Sequence, residues 1–340
     1  MKKVLIISRK YHGEVLGEVQ DFVKNGYEIV FSFSAFSIVN DNPILRIKRK
    51  LGFDISKDEA KYRTKYNKRI IKLVNKHSPS LVYVVQGLQL DIDTIETIKK
   101  RCPIVVHLID RLELFPEIIQ FLKHYNKILS YSFDDTQILI DDGLSCFFVP
   151  SGVNRRIHYP LKCKKTIDVS FIGDIYPLRR EWLEKLAYEE PNVRFRFYGK
   201  YVRMNNTTAF FRWLFDKRLR QCFCNRNVSS KKANKIYNKS KICLNIAREN
   251  NCNGISERVS KILATKSFLL MSFSDVLKGV ICTDECLFKN YEEMRDKIRF
   301  FLENEFERKK LSEFVYSKVF EGDGCYSKSI VNLIEDPKEK

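Results

Sequence analysis

Short, continuous apolar runs alternate with segments of helical periodicity along much of this chain. The pattern is clearest in the first half, where such segments separate the apolar runs Leu81 to Val85, Ile104 to Ile109 and Ile128 to Tyr131. A strand that is apolar along its whole length is buried on both faces, and strands that alternate with helices pair in parallel. We therefore predict an α/β protein with doubly wound parallel sheets.

At 340 residues, the chain is long enough for two domains that each bury a core of their own. The first alternation ends at Ser151 and Gly152, and the polar, basic stretch from there to Lys165 has the composition of a linker. A second alternation opens with the strand Asp168 to Gly173. We predict one Rossmann-like domain over residues 1–152 and another over residues 165–335.

The segment from Ile236 to Ser272 is predicted to form a strand, a loop, a helix and a second strand. Ile242 to Ala247 is an apolar run that ends in a polar loop, as expected for a strand buried in a parallel sheet. Ser256 precedes a helical repeat and is placed to cap the helix. The apolar positions of that repeat are Val259, Ile262 and Leu263.

A phosphate site is the first hypothesis for this segment. A helix that follows a buried strand presents free N–H groups and the positive end of its dipole at the edge of the sheet. Arg248, Arg258 and Lys261 would surround a bound phosphate with positive charge. The alternative is a plain crossover helix with solvated basic residues, because many helix amino termini bind nothing.

One motif in the segment carries a family resemblance. The pattern Tyr-x-x-Ser-Lys-Ile-x-Leu-Asn-Ile, followed by an arginine at the start of a helix and a short strand, resembles GT-B glycosyltransferases of the spore-maturation CgeB type. The resemblance covers residues 165–335. It implies a GT-B fold, in which two Rossmann-like domains face each other across a cleft, with the donor on the second and the acceptor on the first.

The resemblance also implies which residues bind a nucleotide diphosphate-sugar. Asn245, Ser256 and Arg258 fall on family positions for the diphosphate and ribose of the donor. Gly173 ends the first strand of the donor domain, and Lys200 follows a glycine turn where the family commonly contacts the donor. Basic groups around the diphosphate would replace a divalent metal ion, so we expect neither a metal nor a cofactor besides the donor.

The chain departs from the family at one informative place. The family usually has Arg-x-Phe-Glu at the start of this helix, and its glutamate binds ribose hydroxyls, whereas this chain has Arg258-Val259-Ser260-Lys261. A lysine cannot accept the hydrogen bonds that a carboxylate accepts. This difference keeps open a second hypothesis, a nucleotide-binding protein of the same fold without catalysis.

Catalytic candidates lie in the first half of the chain. Because ligands bind such sheets at the carboxyl ends of the strands, a base for the acceptor hydroxyl is expected there. Asp110 and His12 are the predicted catalytic residues, and Gly87 and Asp134 lie at similar positions. Two alternatives stay open: an ion pair of Asp110 with the next arginine, and a core position for His107.

Composition narrows the partners and the location. The formal net charge of +19 favours encounters with polyanions of any kind. Ten cysteines without a pairing pattern and five scattered histidines predict a reducing cytoplasm and no metal site. No apolar run reaches the roughly 20 residues of a membrane-spanning helix.

Two basic, amphipathic stretches, residues 44–51 and 210–223, stand out from the alternation. Both are predicted to contact an anionic membrane surface, since cations alternate with large apolar side chains in each. The alternatives are a solvated helical face for the first stretch, and core packing or a dimer contact for the second. Nucleic acid is not expected, because no known nucleic-acid module is present.

From the residues and the resemblance together, we predict transfer of a sugar from a nucleotide diphosphate-sugar to a hydroxyl of a glycan or lipid-linked glycan. Surface polysaccharide synthesis in the cytoplasm, at the inner face of a membrane, is the expected setting. The alternatives are the catalytically degenerate nucleotide-binding protein and a basic module that binds membranes or nucleic acid without nucleotide.

Overall fold

A computed structural model describes residues 2–9, 13–34, 43–87, 90–202, 207–247, 253–274, 277–278, 283–321 and 329–335. The chain divides into two compact units. The first comprises Met1–Gly152 and Ser329–Lys340, and the second comprises Val153–Lys328. The basic stretch that was predicted as a linker thus belongs to the second unit.

The first unit is built on a sheet of six strands in the order β2-β1-β3-β4-β5-β6, and the neighbouring strands pair in parallel. The strands are β1 (Lys2–Arg9), β2 (Tyr27–Ser34), β3 (Leu81–Val85), β4 (Ile104–Leu108), β5 (Lys127–Ser130) and β6 (Cys146–Phe148). The helices are α1 (Gly13–Lys24), α2 (Pro43–Lys50), α3 (Ser56–His77), α4 (Ile92–Lys99), α5 (Ile119–Leu122) and α6 (Phe133–Asp141), with one more from the end of the chain.

The second unit contains a sheet of five strands in the order β11-β10-β9-β7-β8, again with parallel pairing. The strands are β7 (Ile167–Ile172), β8 (Phe195–Tyr198), β9 (Ser240–Asn245), β10 (Leu269–Ser272) and β11 (Leu287–Phe288). The helices are α7 (Pro177–Glu189), α8 (Thr207–Phe215), α9 (Lys217–Cys222), α10 (Ser230–Lys239), α11 (Glu257–Ala264), α12 (Tyr291–Glu303) and α13 (Glu305–Phe320). The predicted fold class, an α/β protein with two parallel sheets, is confirmed.

Local chemistry explains why several elements begin where they do. Every residue of β3 and of β4 is buried, as expected for strands covered on both faces. The Asp91 carboxylate accepts a hydrogen bond from the backbone N–H of Thr94 at the start of α4, and Asn290 accepts one from Glu293 at the start of α12. These caps satisfy backbone donors that the first turn leaves free.

The segment of helical periodicity between β4 and β5, around Phe115 to His124, is predicted to form a helix, but that helix is interrupted in the structure. Short 3₁₀ turns at Leu112–Leu114 and Pro116–Ile118 come first, and only α5 is α-helical. Proline has no N–H and disfavours a helical conformation in the residue before it, so a continuous helix cannot pass through this point.

The last helix, α14 (Ile330–Glu335), belongs to the first unit, so the second domain does not extend to residue 335 as predicted. Val331 is buried in the core on the α1 face of the first sheet. The Asp21 carboxylate accepts hydrogen bonds from the Ser329 hydroxyl at 2.8 Å and the Val331 N–H at 3.1 Å. The sequence of this six-residue helix shows that one of its faces is apolar, but it does not show which of the two sheets that face will cover.

Candidate functional site

The second sheet reverses its strand order between β7 and β9, since β8 lies on one side of this pair and β10 on the other. Ligands of open α/β sheets bind at the carboxyl ends of the strands where the order reverses. Gly173 directly follows β7, and Asn245 is the last residue of β9. Two of the predicted donor-binding residues therefore lie at the switch point of this sheet.

Arg258, in the first turn of α11, joins these two strand ends. Its Nη1 donates a hydrogen bond to Asn245 Oδ1 at 2.8 Å, and its Cζ lies 4.9 Å from the centroid of the Phe171 ring. Burial lowers the pKa of this guanidinium, while the nearby Tyr237 and Asp174 act in the opposite direction. An arginine stays protonated despite such a shift, so the switch point carries a fixed positive charge.

Gly173 is a glycine because the guanidinium of Arg258 lies directly against it. A Cβ atom at this position would overlap Nη2 of Arg258 and would lie 2.7 Å from its Cζ. A Cβ at Gly199 would overlap the carbonyl oxygen of Gly173, so the turns after β7 and β8 pack together through their backbones. The Gly173 N–H also donates to the Tyr198 carbonyl at 2.9 Å. Because neither glycine has a side chain, the Arg258 guanidinium and the two turns can pack closely together.

Arg179 completes the arrangement, although the sequence analysis did not propose it as a site residue. Its side chain is buried, with Nε donating to the Ile246 carbonyl at 2.8 Å and Nη1 to the Asp174 carbonyl at 2.9 Å. Its guanidinium also lies 5.5 Å from the Phe171 ring. Arg179 ties the loop after β7 to the loop after β9. The sequence signal was an arginine in the first turn of a helix after a glycine turn, which by itself is weak.

The remaining donor-side candidates have different surroundings. Ser256 occupies the N-cap position of α11, as predicted, although its side chain accepts no capping hydrogen bond. Lys261 contacts the carboxylate of Glu257 one turn earlier on the same helix. Lys200 is exposed beside the Gly199 turn. Arg248 lies outside the residues that the structure describes.

Asp110 lies immediately beyond β4, at the carboxyl edge of the first sheet where it was predicted. Its backbone N–H and that of Ile109 donate to Gln86 Oε1 at 3.2 and 3.0 Å. Gln86 is only 3% exposed and has a φ of +64°, a left-handed conformation that is uncommon for glutamine. Gln86 therefore fixes the turn that carries Asp110, a role that no local sequence pattern indicated.

The ion pair of this region runs from Arg111 to the start of α6. Arg111 Nε lies 3.0 Å from Asp135 Oδ1, and its Nη1 lies 3.5 Å from Asp134 Oδ2. Asp134 is thus a partner of Arg111 in the first unit. The backbone N–H of Leu112 adds a hydrogen bond to Asp135 at 3.1 Å.

His107 is a core residue, as the alternative interpretation had it. Its Nδ1 lies 2.6 Å from the Tyr83 hydroxyl and 2.8 Å from Glu18 Oε1, and all three side chains are buried. The predicted catalytic residue His12 lies outside the described part of the chain. Within that part, no group of three or more His, Cys, Asp or Glu side chains is arranged to hold a metal ion.

Comparisons with known proteins agree with this geometry. Residues 179–325 match a family model described as glycosyl transferase-like. That range contains α11 with Arg258, together with β8 to β11. No curated protein sequence matches the chain.

Solved structures resemble the chain along most of its length. A glycosyltransferase from Rickettsia africae has a TM-score of 0.66 at 13% identity, covering 98% of this chain and 95% of that one. Anabaena HepE, in complex with UDP and glucose, has a TM-score of 0.66 at 9% identity, covering 99% and 100%. Sucrose-phosphate synthase from Thermosynechococcus elongatus has a TM-score of 0.65 at 11% identity, covering 94% of each chain. At such low identity these likenesses show the fold, which is of the GT-B type.

Proposed function

We propose that the protein is a glycosyltransferase that moves a sugar from a nucleotide diphosphate-sugar to a hydroxyl of a glycan or lipid-linked glycan. The glycosyl transferase-like family match and the GT-B fold support the general class. The observation that carries the proposal is the Arg258 guanidinium at the switch point of the second sheet, between Gly173 and Asn245.

The chemistry of this arrangement suits a departing diphosphate. As the bond between the sugar and the diphosphate breaks, negative charge grows on the leaving oxygen and must be stabilised. The Arg258 guanidinium is already positioned by Asn245 and Phe171, so it needs little reorganisation when the charge develops. The amino end of α11 adds backbone N–H groups of the same polarity. These groups form our case for transfer without a divalent metal ion.

The acceptor hydroxyl needs a base, and we propose Asp110 for this role, with His12 as the other candidate. The Asp110 backbone is fixed by Gln86, which limits the positions that its carboxylate can adopt. A carboxylate held at the carboxyl edge of a parallel sheet is a suitable general base once the substrate is in reach.

The finer parts of the proposal rest on the sequence. We propose membership of the CgeB type on the resemblance of the Tyr237 to Ile246 motif, and we propose surface polysaccharide synthesis as the setting. We place the reaction in the cytoplasm at the inner face of a membrane, where a lipid-linked acceptor would be found. HepE and the bacteriophage T4 enzyme BGT, whose structures contain UDP or UDP-glucose, make a uridine nucleotide the first donor to test.

One observation favours a second candidate function, nucleotide binding without transfer. Glu257 is the nearest carboxylate that could replace the family glutamate, and it is already in contact with Lys261. A carboxylate that is neutralised by a lysine accepts ribose hydroxyl protons less readily. In this case the protein would bind the donor and neither transfer nor hydrolyse its sugar.

A thermal-shift screen tests the proposal. The purified protein is melted with UDP, GDP, CDP, TDP and ADP and with their common sugar conjugates, in magnesium and in EDTA. A ligand at a hundredfold its dissociation constant adds about 2.7 kcal/mol to stability, which a melting curve resolves. A shift with one nucleotide in EDTA, followed by release of that nucleoside diphosphate with an acceptor, supports the transferase. A shift without any turnover supports the second candidate, and no shift with any nucleotide contradicts both.

A further inference from the structure

Helix α8 (Thr207–Phe215) is fixed to the second unit by one of its faces. Ala209 is buried, and the indole N–H of Trp213 donates to the Phe223 carbonyl at 3.1 Å. Helix α9 follows at once, because the Asp216 carboxylate caps it by accepting a hydrogen bond from Leu219, which is fully buried. The helix is therefore a supported part of the fold, and the direction of its other face is set.

The opposite face of α8 consists of large apolar side chains that are open to solvent. Phe210, Phe211, Leu214 and Phe215 are 42%, 54%, 38% and 77% exposed. Their spacing of one and four residues places them on one side of the helix. The rings of Phe211 and Phe215 stack at 6.3 Å between centroids, and Phe210 meets Phe211 edge-on at 5.6 Å. Four such side chains together form a contiguous patch, which on a monomer usually marks an interaction surface.

Cations border this outer face of α8. Lys217 and Arg220 are exposed on the same short segment, whereas Arg212 pairs with Glu184 of α7 at 2.9 Å and so faces the unit that supports the helix. Asp216, which directly precedes Lys217, is occupied as the cap of α9 and as the acceptor of the Tyr188 hydroxyl. An apolar aromatic surface with a basic rim complements a bilayer that presents lipid phosphates above its acyl chains. The net charge of +19 also attracts the protein to an anionic bilayer, at distances longer than those of direct contacts.

We propose that the outer face of α8 docks on the surface of an anionic lipid bilayer. Its four apolar side chains enter the headgroup region, and Lys217 and Arg220 lie beside lipid phosphates. This is attachment to the surface, and none of the helices in the described ranges is long and apolar enough to cross a membrane. The proposal does not depend on nucleotide binding or on sugar transfer.

Helix α2 in the first unit has a similar composition, but it is less firmly packed against the rest of the fold. Ile44, Ile47 and Leu51 are exposed along one stripe, among Arg46, Lys48, Arg49 and Lys50. Its buried anchor is Leu45, which packs with Ile55 in a small cluster. Because an interfacial helix must hold its apolar face in a fixed direction, we assign the main contact to α8 and use α2 as a comparison.

Vesicle flotation tests this assignment with the intact protein. The vesicles contain phosphatidylcholine alone or phosphatidylcholine with phosphatidylglycerol. The unmodified protein should float with the anionic vesicles, and the double variant Phe211→Ser/Phe215→Ser should bind them at least about tenfold less well. Phe306→Ser is the matched control: Phe306 is 76% exposed, like Phe215, but lies between Glu305 and Glu307 on α13. This control should float like the unmodified protein.

Three results would overturn the proposal. The first is failure of the unmodified protein to bind anionic vesicles. The second is that the variant Ile47→Ser/Leu51→Ser loses vesicle binding while the α8 variant still binds. The third is a dimer in lipid-free buffer, measured by light scattering, that the α8 variant converts to a monomer, because a second copy would then cover the face. If the double variant melts early, Phe215→Ser alone and Lys217→Gln provide the same test, since both residues are exposed.

Discussion

At the reversal of strand order in the second sheet, Gly173 follows β7 and Asn245 ends β9. In the first sheet the reversal falls between β1 and β3, and Gln86 follows β3. Both sheets are parallel and both are covered by helices, so their backbones offer the same kind of edge. The side chains use that edge differently. In the second sheet a glycine admits a guanidinium, and in the first a buried glutamine bonds to the neighbouring turn.

This difference shows how one topology can serve two purposes. Gly173 has no side chain of its own, so Arg258 can bring its charge from another element onto the backbone of the turn. Gln86 uses its amide oxygen to hold Ile109 and Asp110, so that edge is organised to position a carboxylate. We therefore expect anion binding at the second edge and proton transfer at the first.

The largest effect is expected for Asp110→Asn. If Asp110 is the base, turnover should fall by about 10²–10⁴-fold, because an amide cannot accept the proton of the acceptor hydroxyl. The dissociation constant of the nucleotide should not change. Asp134→Asn is the control, since Asp134 pairs with Arg111 at the same edge. Weaker nucleotide binding in Asp110→Asn would mean that the edge of the first sheet also contributes to nucleotide binding, contrary to the proposal.

The next effect is expected for Arg258→Ala. Loss of a charge-assisted contact with the diphosphate should weaken nucleotide binding by about 1.5–3 kcal/mol, roughly 10- to 100-fold, in a calorimetric titration. Arg299→Ala removes an exposed arginine that pairs with Glu190 on the same unit and should leave the affinity unchanged. Equal affinities for all three proteins would remove Arg258 from the site.

Each unit contains a buried histidine, and the two side chains differ in their hydrogen bonding. His107 Nδ1 is hydrogen-bonded with the Tyr83 hydroxyl and lies 2.8 Å from Glu18 Oε1, whereas neither ring nitrogen of buried His158 has a hydrogen-bond partner in the described part of the chain. Burial, with a contribution from Lys261, lowers the pKa of His158 to about 4 from 6.5. Between these pH values the unfolded chain binds a proton that the folded unit does not, so stability should fall as the pH drops.

His158→Phe should flatten this dependence. The loss between pH 6.5 and pH 4, roughly 1–3 kcal/mol, should shrink in the variant because the titrating group is gone. Both tryptophans of the chain, Trp182 and Trp213, lie in the second unit, so urea unfolding followed by tryptophan fluorescence reports on that unit. An unchanged slope in the variant would show that another group causes the pH dependence.

The smallest effect is expected for Gly173→Ala, and it is best measured in two backgrounds. The added methyl group should displace the Arg258 side chain and weaken nucleotide binding by about 1 kcal/mol. In the Arg258→Ala background the same change should have little further effect, because the displaced group is absent. Equal losses in both backgrounds would mean that Gly173 acts by exposing its backbone to the ligand.

Strand and helix positions were largely predictable from local patterns. β3 was predicted at its observed bounds, because the apolar run that marks this strand is set by neighbouring residues. Ser256 shows the limit of such reasoning. It stands at the N-cap, as its position suggested, but a capping hydrogen bond also needs a side-chain rotamer that the sequence does not fix.

The segment around Phe210 shows another limit. Its composition predicted a single amphipathic helix, but Asp216 ends α8 and caps α9. Amphipathic spacing alone left the phenylalanines free to pack in the core or to face outward. The outward direction follows from Trp213, whose indole donates to the Phe223 carbonyl beyond α9, and from the burial of Ala209.

The sequence by itself determined the two parallel sheets, the positions of most strands and the polar residues at their carboxyl ends, because these follow from periodicity along a short stretch of chain. Only the tertiary structure decided that Arg258 lies on Gly173, that Arg179 ties two loops together and that α14 belongs to the first unit. Each of these depends on which distant segments meet. A contact between residues that are far apart in the sequence is chosen by the packing of the whole sheet, and a local pattern does not record it.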